Sequence, residues 1–230
     1  MSKSNLAVKE ELENVAAEDV IIINQNEQEN YRPSKDKEIR VNNNLSYLIM
    51  KKIVDIIAGI LGTILLVPLI AVVWFIRICL HENDGPLFFE QIRIGKNGKQ
   101  FRMYKFRTMV MEADEKLYRY LEENPEAKKE YKKYKKLKHD PRITKLGNIL
   151  RKTSLDEFPQ FVNILKGEMS LVGPRPYLYR EKEDLGEYYY NSITKVKPGI
   201  TGYWQVNGRN DVDFEERAYM DTYYIERRGI

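Results

Sequence analysis

A run of 21 residues, 56–76, contains no charged side chain, and this run constrains the fold more than any other feature of the sequence. A helix needs about 20 consecutive apolar residues to cross the hydrocarbon core of a bilayer. The run is therefore predicted to be a membrane helix. Its length makes a buried helix of a soluble core the poorer interpretation.

Two features bear on how this helix enters the membrane. Pro68 lies just past the middle of the run, where a proline removes a backbone donor and kinks a helix. Basic residues flank both ends, with Lys51 and Lys52 before the run and Arg77 after it. A crossing helix would place one basic flank on the wrong side of the membrane, whereas a helix that bends and returns keeps both in the cytosol. These features alone leave the crossing and the re-entrant forms open.

The charge of the chain is unevenly distributed. Residues 1–45 contain six Lys or Arg and nine Asp or Glu, and the net charge of +4 therefore leaves +7 for residues 46–230. A basic body beside an apolar segment is typical of a surface that faces anionic phosphates. We predict a flexible polar extension over residues 1–45, a membrane helix over residues 46–80 and a cytosol-facing domain over residues 81–230.

Side chains that bind soft metals are sparse. Cys79 is the only cysteine, and the two histidines, His81 and His139, lie far apart in sequence. A disulfide within the chain and a cysteine-cluster zinc site are therefore excluded, and a histidine-based site is disfavoured. A metal bound by this chain is expected to be a hard cation held by carboxylates, and Mg²⁺ fits best.

The pattern after the apolar run predicts an α+β fold that is rich in helix and has one β-hairpin. Residues 87–94 and 100–107 are rich in aromatic and branched side chains, and residues 95–98 between them are typical of a turn. Helices are predicted over residues 112–138 with a break near Asn124-Pro125, over residues 143–150, and over residues 154–166. Residues 173–176 and 197–202 are predicted to be rigid loops.

The segment Ser154-Leu155-Asp156-Glu157 admits two interpretations. It fits a capping box, in which Ser154 caps a helix and Glu157 reaches back three residues on. Alternatively, adjacent carboxylates can hold Mg²⁺ while one of them stays available as a nucleophile, and a helix N-terminus favours an ionised Asp. Arg151 precedes Asp156 by five residues and Arg175 follows it by nineteen, so that two guanidinium groups would form a clamp for a diphosphate.

Six sequence blocks in order behind the apolar run resemble those of the bacterial sugar transferases. These are the monotopic phosphoglycosyl transferases that begin the assembly of capsules, exopolysaccharides and glycoprotein glycans. The blocks are FRMYKFRTM (residues 101–109), DPRIT (140–144), RKTSLDEFPQ (151–160), GEMSLVGPRP (167–176), KPGITG (197–202) and WQVNGR (204–209). Each block alone is weak evidence, but six at compatible spacing are strong.

The resemblance implies a covalent mechanism in two steps. Asp156 would attack the β-phosphate of a UDP-sugar and release UMP, and undecaprenyl phosphate would then take the phosphosugar from the carboxylate. Glu157 would assist as a metal or base partner, with Mg²⁺ at this pair. UDP-glucose and UDP-galactose are the expected donors, with an N-acetylated sugar as the alternative.

The resemblance also implies the surroundings of the site. Arg175 and Arg151 would hold phosphate, and Lys105 and Arg107 would line the site, although their alternation also fits the polar face of a hairpin. The membrane helix would be re-entrant, with its break at Pro68. The chain would reside in the bacterial cytoplasmic membrane, among its lipids, with a catalytic domain over residues 81–230 on the cytosolic face.

Two departures from the family pattern give further expectations. Many members carry several membrane helices ahead of this domain, whereas this chain has a polar tail there and resembles the short form. The family also continues into another apolar segment beyond the equivalent of Gly229, so the chain is expected to be truncated at its C-terminus.

A different class of function fits some of the same features. A membrane-tethered basic scaffold or binding protein without catalysis would use the lysine-rich stretch over residues 128–138 to gather anionic partners. Such a scaffold needs no particular Asp-Glu pair. Nucleic-acid binding is disfavoured by the modest charge of +7 and by the membrane segment.

Overall fold

The computed structural model describes residues 39–42, 44–82, 84–134, 136–207 and 212–229. Most of the predicted polar extension over residues 1–45 lies outside the described residues, and so do Gly208 and Arg209 of the last sequence block.

The described chain contains eight α-helices and four strands, joined by short turns and loops. They are α1 Leu45–Cys79, β1 Phe88–Ile94, β2 Gln100–Phe106, α2 Ala113–Glu123, α3 Pro125–Tyr134, α4 Lys145–Lys152, α5 Gln160–Leu165, β3 Ser170–Val172, α6 Lys182–Ile193, β4 Gly199–Thr201, α7 Tyr203–Asn207 and α8 Phe214–Arg227. Three single 3₁₀ turns lie between them, at Lys96–Gly98, Leu155–Glu157 and Tyr179–Glu181. The prediction of a helix-rich α+β fold is confirmed.

Helix α1 is long and apolar enough to cross a membrane, and it is the one helix among the described residues for which this holds. Asn44 caps its start by accepting a hydrogen bond from the backbone of Ser46 (3.0 Å). Its 35 residues include Pro68 and extend over about 52 Å at 1.5 Å per residue. The predicted long apolar helix is confirmed, while its re-entrant form stays a prediction.

One stripe of α1 is buried against the rest of the protein. The stripe consists of Gly59, Gly62, Leu66, Val73 and Arg77. Their spacing of three, four, seven and four residues places them on one face of the helix. A Cβ atom at Gly62 would lie 2.2 Å from the ring of Phe161, so glycine permits close packing of α1 on α5. Large apolar side chains, such as Val67 at 67% exposure, cover the other faces.

Polar side chains near the start of α1 attach it to strand β3. The Oδ1 atom of Asp55 accepts hydrogen bonds from the Ser170 hydroxyl and the Leu171 backbone, each at 2.9 Å. One turn earlier in the helix, Lys51 Nζ donates to the carbonyl oxygen of Val172 at 2.8 Å. Both of these charged side chains of the apolar helix therefore have hydrogen-bond partners in β3.

The chain that follows α1 is attached to helix α4. The carboxylate of Glu82 accepts hydrogen bonds from the backbone N–H groups of Lys145 (2.8 Å) and Leu146 (3.1 Å), in the first turn of α4. The buried Arg77 side chain in turn donates to the carbonyl of Glu82 at 2.9 Å. Because a helix N-terminus leaves its first N–H groups without partners, Glu82 acts as a cap from a distant part of the sequence.

The predicted β-hairpin is confirmed. Strands β1 and β2 pair antiparallel, with Phe88 opposite Phe106 and Ile94 opposite Gln100. The rings of Phe88 and Phe106 stack with their centroids 5.3 Å apart. In the turn between the strands, Asn97 takes the left-handed backbone conformation (φ 58°) that asparagine tolerates better than most residues.

The two helix predictions before residue 154 hold with small shifts. The helix predicted over residues 112–138 breaks at Asn124 and continues as α3 to Tyr134. The helix predicted over residues 143–150 is α4, which begins two residues later. Thr144 caps α4, since its side chain accepts a hydrogen bond from the backbone of Gly147 at 2.9 Å.

The capping box predicted at Ser154 is wrong, and the helix predicted over residues 154–166 is confirmed only in its second half, as α5. Ser154 has a left-handed backbone (φ 58°), and its side chain caps no N–H group. A capping residue requires an extended backbone so that its side chain can reach the N–H groups ahead, and this turn removes that geometry. Leu155–Glu157 form a single 3₁₀ turn, and α5 begins only after Pro159.

A second small sheet replaces part of the predicted loops. Strands β3 and β4 pair in parallel, with Ser170 opposite Gly199 and Val172 opposite Thr201. A Cβ atom at Gly199 would lie 2.1 Å from the backbone nitrogen of Gly173, so this approach requires glycine. The fold therefore contains a two-stranded parallel sheet in addition to the one predicted hairpin.

Three buried clusters hold these elements together. One joins α1, β2 and α4 and consists of Leu66, Val73, Phe106, Leu146 and Leu150. Another joins β2 to α5 and its following turn and consists of Phe101, Met103, Ile164 and Met169. The third joins α6 and α8 and includes Tyr177, Leu185, Tyr189, Ile193, Phe214 and Ile225.

Replacing Gly199 with Ala is expected to destabilise the protein, because the added Cβ would overlap the backbone of Gly173, which cannot move aside as a flexible side chain can. Overpacking of this kind costs about 1–3 kcal/mol. For a protein of this size the midpoint of thermal unfolding would fall by about 2–4 °C per kcal/mol.

Thermal unfolding of the detergent-solubilised protein measures the effect. Thr201→Ala in the same strand adds no atoms and serves as the control, with a smaller expected change. A Gly199→Ala protein with the midpoint of the wild type would contradict the close approach of β3 and β4.

Candidate active site

Lys105, Asp156 and Glu157 lie together in a group that we call the carboxylate cluster. Lys105 Nζ donates a hydrogen bond to Glu157 Oε1 at 2.7 Å and lies 3.7 Å from Asp156 Oδ2. The side chain of Asp156 is 9% exposed, and those of Lys105 and Glu157 are about one quarter exposed. The cluster thus combines one buried carboxylate with two charged groups that solvent or a ligand can reach.

Strand β2 and helix α5 bring Lys105 to the acids. Lys105 is the next-to-last residue of β2. The fully buried side chain of Asn163 fixes β2 to α5, since its Oδ1 accepts from the backbone of Tyr104 (3.1 Å) and its Nδ2 donates to the carbonyl of Arg102 (2.7 Å). No role was predicted for Asn163, because its hydrogen-bond partners in β2 lie about 60 positions away along the chain.

The 3₁₀ turn Leu155–Glu157 presents the two acids. The left-handed backbone of Ser154 reverses the chain immediately before them, a conformation that is strained for a residue other than glycine. Leu155 and Phe158 on either side pack against the cluster that contains α1 and α4. The apolar neighbours therefore anchor the turn, and Asp156 is drawn into the protein.

Burial raises the pKa of Asp156 above its ordinary value. The positive charges of Lys105 and Arg151 oppose this shift, whereas the negative charge of Glu157 adds to it. The prediction that a helix N-terminus favours the ionised form of Asp156 is wrong, because a single 3₁₀ turn stands where the helix was expected. Lys105 and Arg151 supply the stabilising charge instead.

Arg151 lies near the acids as the sequence predicts. Its Nε donates to the hydroxyl of Thr108 at 2.9 Å, and the guanidinium interacts electrostatically with Asp156, Asp140 and Glu157. Burial lowers the pKa of Arg151, and Asp156 opposes that shift. The last turn of α4 therefore carries a partly desolvated cation toward the carboxylate cluster.

Arg175 and Arg107 lie away from the immediate contacts of the cluster. Arg175 NH2 is 3.8 Å from Glu181 Oε1, and its guanidinium lies over the ring of Tyr177. Arg107 follows the end of β2, where the alternation of the strand stops, and its Nε donates to the carbonyl of Pro86 at 2.9 Å. The structure thus joins Lys105, Asp156, Glu157 and Arg151, and it places Arg175 and Arg107 outside this group.

Arg93 was missed by the sequence analysis. Its NH1 donates to the carbonyl of Pro176 at 2.9 Å and lies 4.0 Å from Glu181 Oε2. Burial, with the positive charge of Arg175, lowers the pKa of Arg93 to about 9, and Glu181 and Glu157 oppose the shift. Arg93 therefore holds the Arg175 loop through Pro176 and Glu181, and Glu157 is the weakest of the charges that act on it. The sequence offers one signal for it, an arginine between two isoleucines in a predicted strand.

The two carboxylates of the cluster offer oxygen atoms of the kind that Mg²⁺ takes as ligands. Within the described residues, no group of three or more His, Cys, Asp or Glu side chains is arranged to hold a metal ion. Mg²⁺ is commonly held by one or two carboxylates, with water and substrate phosphates as its other ligands. Asp156 and Glu157 fit that requirement, because both offer oxygen donors and Glu157 is partly exposed.

Comparison with known families gives a match over most of the chain. Residues 46–230 match the family described as bacterial sugar transferase. The chain belongs to the bacterial sugar transferase family. The family named from the six sequence blocks is confirmed, and the matched region contains α1 from its second residue, both small sheets and every residue of the candidate site.

Relatives of known name cover most of the chain. The undecaprenyl-phosphate galactose phosphotransferase of Salmonella typhimurium is 45% identical over 194 residues, which are 82% of this chain and 39% of the relative. The UDP-glucose:undecaprenyl-phosphate glucose-1-phosphate transferase of Escherichia coli is 37% identical over 190 residues, which are 79% of this chain and 37% of the relative. The chain therefore spans about two fifths of the length of these relatives.

A shorter relative matches over most of its own length. The exopolysaccharide production protein ExoY of Rhizobium meliloti is 40% identical over 182 residues, which are 78% of this chain and 78% of the relative.

At neutral pH, Asp156→Asn is expected to be at least as stable as the wild type. Because burial raises the pKa of Asp156, the folded state binds more protons than the unfolded state between the two pKa values. The stability of the wild type then falls as the pH rises from about 4 through the folded-state pKa. Asparagine does not ionise, so its advantage should shrink as the pH is lowered. Thermal unfolding over this range measures the difference.

Asp140→Asn provides a control with the opposite sign. Burial alone would raise the pKa of Asp140, but hydrogen bonds from Arg142 outweigh it and hold the pKa below its ordinary value. The stability that ionised Asp140 contributes is present above its unfolded-state pKa and is lost as the pH falls through the folded-state pKa. Asp140→Asn should therefore be less stable than the wild type at neutral pH. The same sign for both variants would contradict this account.

Proposed function

We propose that this chain transfers a sugar 1-phosphate from a UDP-sugar to undecaprenyl phosphate and releases UMP. The reaction would be the first membrane step in the synthesis of a capsule, an exopolysaccharide or another glycoconjugate. The observation that carries the proposal is the carboxylate cluster of Lys105, Asp156 and Glu157 beside a long apolar helix.

The packing of α1 supports a site that serves a lipid. Leu66 and Val73 of α1 share a buried cluster with Phe106 and Leu150. Phe106 directly follows Lys105, and Leu150 directly precedes Arg151. The sequence neighbours of two charged residues of the site therefore pack against the apolar helix. A transfer of phosphate to a membrane lipid requires charged groups near such a helix.

The named relatives support the class of donor and acceptor. The Salmonella relative is named for galactose and undecaprenyl phosphate, and the Escherichia coli relative for UDP-glucose and undecaprenyl phosphate. We propose galactose or glucose for this chain, carried by UDP, because relatives of both names match it over about four fifths of its length.

In the first proposed step, Asp156 is the nucleophile. A carboxylate oxygen of Asp156 forms a bond to the β-phosphorus of the UDP-sugar. The bond from this phosphorus to the oxygen that bridges the α- and β-phosphates breaks, and UMP leaves with the oxygen and its electron pair. Lys105 and Arg151 oppose the rise that burial causes in the pKa of Asp156, and so favour the ionised form that the attack needs.

In the second proposed step, an oxygen of the undecaprenyl phosphate bonds to the same phosphorus. The bond between Asp156 and phosphorus breaks, which restores the carboxylate and yields undecaprenyl diphosphate-sugar. Glu157, at 2.7 Å from Lys105 Nζ and partly exposed, is placed to exchange this contact for one to the incoming substrate. Attack by the lipid phosphate requires no proton transfer when that phosphate is ionised.

Mg²⁺ is the proposed metal, and Asp156 and Glu157 are the residues that would hold it. When bound, it would neutralise charge on the diphosphate during transfer.

Arg151 interacts with both acids, and we propose that it binds phosphate next to them. Arg175 would bind the more distant part of the donor diphosphate, and Arg93 would support it by holding the carbonyl of Pro176. The contacts of Arg107 with Pro86 and Phe89 leave it out of this scheme.

The contacts along α1 favour the re-entrant form of the helix. Its start is bonded to β3 through Lys51 and Asp55, its middle packs on α5, and the chain at its end caps α4 through Glu82. The domain thus lies along the whole helix. A straight crossing of about 30 Å of hydrocarbon would draw that domain into the membrane, whereas a bend at Pro68 lets α1 dip in from one side. We propose that both ends lie on the cytosolic side.

Purified protein is expected to release UMP continuously only when a UDP-sugar, Mg²⁺ and undecaprenyl phosphate are all present, because without the lipid the first step stops after one UMP per protein molecule. Asp156→Asn should lower the rate by about three orders of magnitude or more, because it removes the nucleophile. Glu123→Gln, an exposed acid at the end of α2, is the matched control and should retain the wild-type rate. A panel of UDP-sugars in the same assay identifies the donor.

Two results would count against the proposal. A folded protein that releases no UMP from any UDP-sugar would favour the membrane-tethered scaffold. UMP release that persists at the wild-type rate in Asp156→Asn would keep the overall reaction and exclude the covalent intermediate on this residue.

A topology experiment is expected to place both ends of α1 on one side of the membrane. Cys79, the single cysteine, is exposed near the helix end, and Leu45 is exposed at its start. In intact right-side-out vesicles, a membrane-impermeant maleimide should label neither Cys79 nor a Leu45→Cys variant made in the Cys79→Ser background. Both should react once the vesicles are made permeable, and Cys79→Ser alone should not react. Labelling of one position but not the other in intact vesicles would establish a crossing helix instead.

A further inference from the structure

The tripeptide Pro174-Arg175-Pro176 contains a single backbone N–H group, that of Arg175, because proline has none. This N–H donates to Oδ2 of Asp221 at 3.1 Å. The hydroxyl of Tyr177 donates to the same oxygen at 3.0 Å. Asp221 therefore accepts the one backbone donor that the tripeptide has.

Asp221 lies in α8, 46 positions along the chain from Arg175, and it has no exposed surface. Its other oxygen, Oδ1, forms no hydrogen bond within the described residues. Burial raises the pKa of Asp221 to about 7, although its hydrogen bonds and the charges of Arg175 and Arg217 oppose the shift. A buried carboxylate with an unpartnered oxygen is destabilising, so packing alone does not explain an acid at this position.

The backbone of the tripeptide is also held on both sides of Arg175. The carbonyl of Pro174 accepts a hydrogen bond from the backbone of Gly199 at 2.9 Å. The carbonyl of Pro176 accepts one from Arg93 NH1, also at 2.9 Å. In contrast, the Arg175 side chain is 27% exposed, and its Nη2 lies 3.8 Å from Glu181 Oε1, beyond hydrogen-bond distance. The backbone is fixed, and the guanidinium keeps donors for a ligand.

We propose that Asp221 is a positioning residue, which fixes the backbone of Arg175 so that the guanidinium is held ready for the diphosphate of the donor. The inference rests on the proposed function, because it assigns Arg175 to the UDP-sugar. Asp221 itself touches no substrate and acts only through Arg175. A guanidinium that is already held in place loses less conformational entropy when the substrate binds. Binding is therefore tighter.

The test compares two substitutions at Asp221 with a neighbour. Asp221→Asn keeps an oxygen that accepts from the Arg175 N–H, whereas Asp221→Leu removes it. Thr222→Val is the matched control, because Thr222 is equally buried in α8 and its hydroxyl donates within the helix to Ala218 at 2.8 Å. Thr222→Val thus removes a buried polar group from α8 without touching the loop.

Steady-state UMP release is expected to separate these variants. Asp221→Leu should raise KM for the UDP-sugar by about tenfold or more, which is the loss expected for a hydrogen bond to a charged group. Its kcat should change less than its KM. Asp221→Asn and Thr222→Val should stay within about threefold of the wild type in both constants, by the same scale.

Hydrogen–deuterium exchange at the Arg175 amide gives a readout that does not depend on catalysis. In the wild type this amide should exchange as slowly as the amides of α8, and Asp221→Asn should preserve that protection. Asp221→Leu should lose it while the amides of α8 stay protected. If Asp221→Leu fails to fold, the exchange of the wild-type amide and the behaviour of Asp221→Asn still decide the matter.

Three results would overturn the inference. They are rapid exchange of the Arg175 amide in the wild type, an unchanged KM in a folded Asp221→Leu, or an equal rise in KM for Thr222→Val. If the wild type releases no UMP at all, the proposed function fails. In that case slow exchange that depends on Asp221 would still establish its hold on Arg175.

Discussion

The close contact between α1 and α5 is the constraint on which the rest of the structure depends. Gly59 and Gly62 allow α5 to approach the apolar helix to a distance that any side chain would prevent. Since α5 follows directly after the turn that carries Asp156, this contact sets the depth of the acids relative to α1. Asn163 of α5 then fixes β2, and with it Lys105. This one packing contact therefore positions the charged site relative to α1.

Strand β3 connects the other half of the molecule to the same helix. The carbonyl of Val172 accepts hydrogen bonds from Lys51 of α1 and from the hydroxyl of Tyr224 in α8. The loop with Arg175 begins immediately after this strand and ends at a contact with Asp221, also in α8. Strand β3 is thus bonded to both α1 and α8, and it directly precedes the loop that we assign to the donor. Helix α1 therefore supports the site in addition to forming the long apolar segment of the chain.

Local signals in the sequence predicted the parts of the fold that depend on neighbouring residues. The apolar run identified α1, the Gly-Lys-Asn-Gly turn identified the hairpin, and Asn124-Pro125 identified the break between α2 and α3. The parallel pairing of β3 and β4 was missed, because three-residue strands carry too few side chains to show a pattern. The conformation of Ser154 was missed because a capping box and a left-handed turn can share the same four residues. Arg93 and Asp221 are explained only by partners that lie far along the chain.

The charges of the site show why it is built from both buried and exposed groups. An acid that attacks phosphorus must be ionised, yet burial raises the pKa of Asp156 and so disfavours that form. Lys105 and Arg151 oppose this shift, and their effect on Asp156 is stronger where water is excluded. Glu157 stays partly exposed, so in the proposed reaction it would exchange its contact with Lys105 for one to the anionic substrate. Burial of Asp156 lowers folding stability, and in the proposed reaction the same low dielectric would let two cations stabilise the charge that develops during transfer.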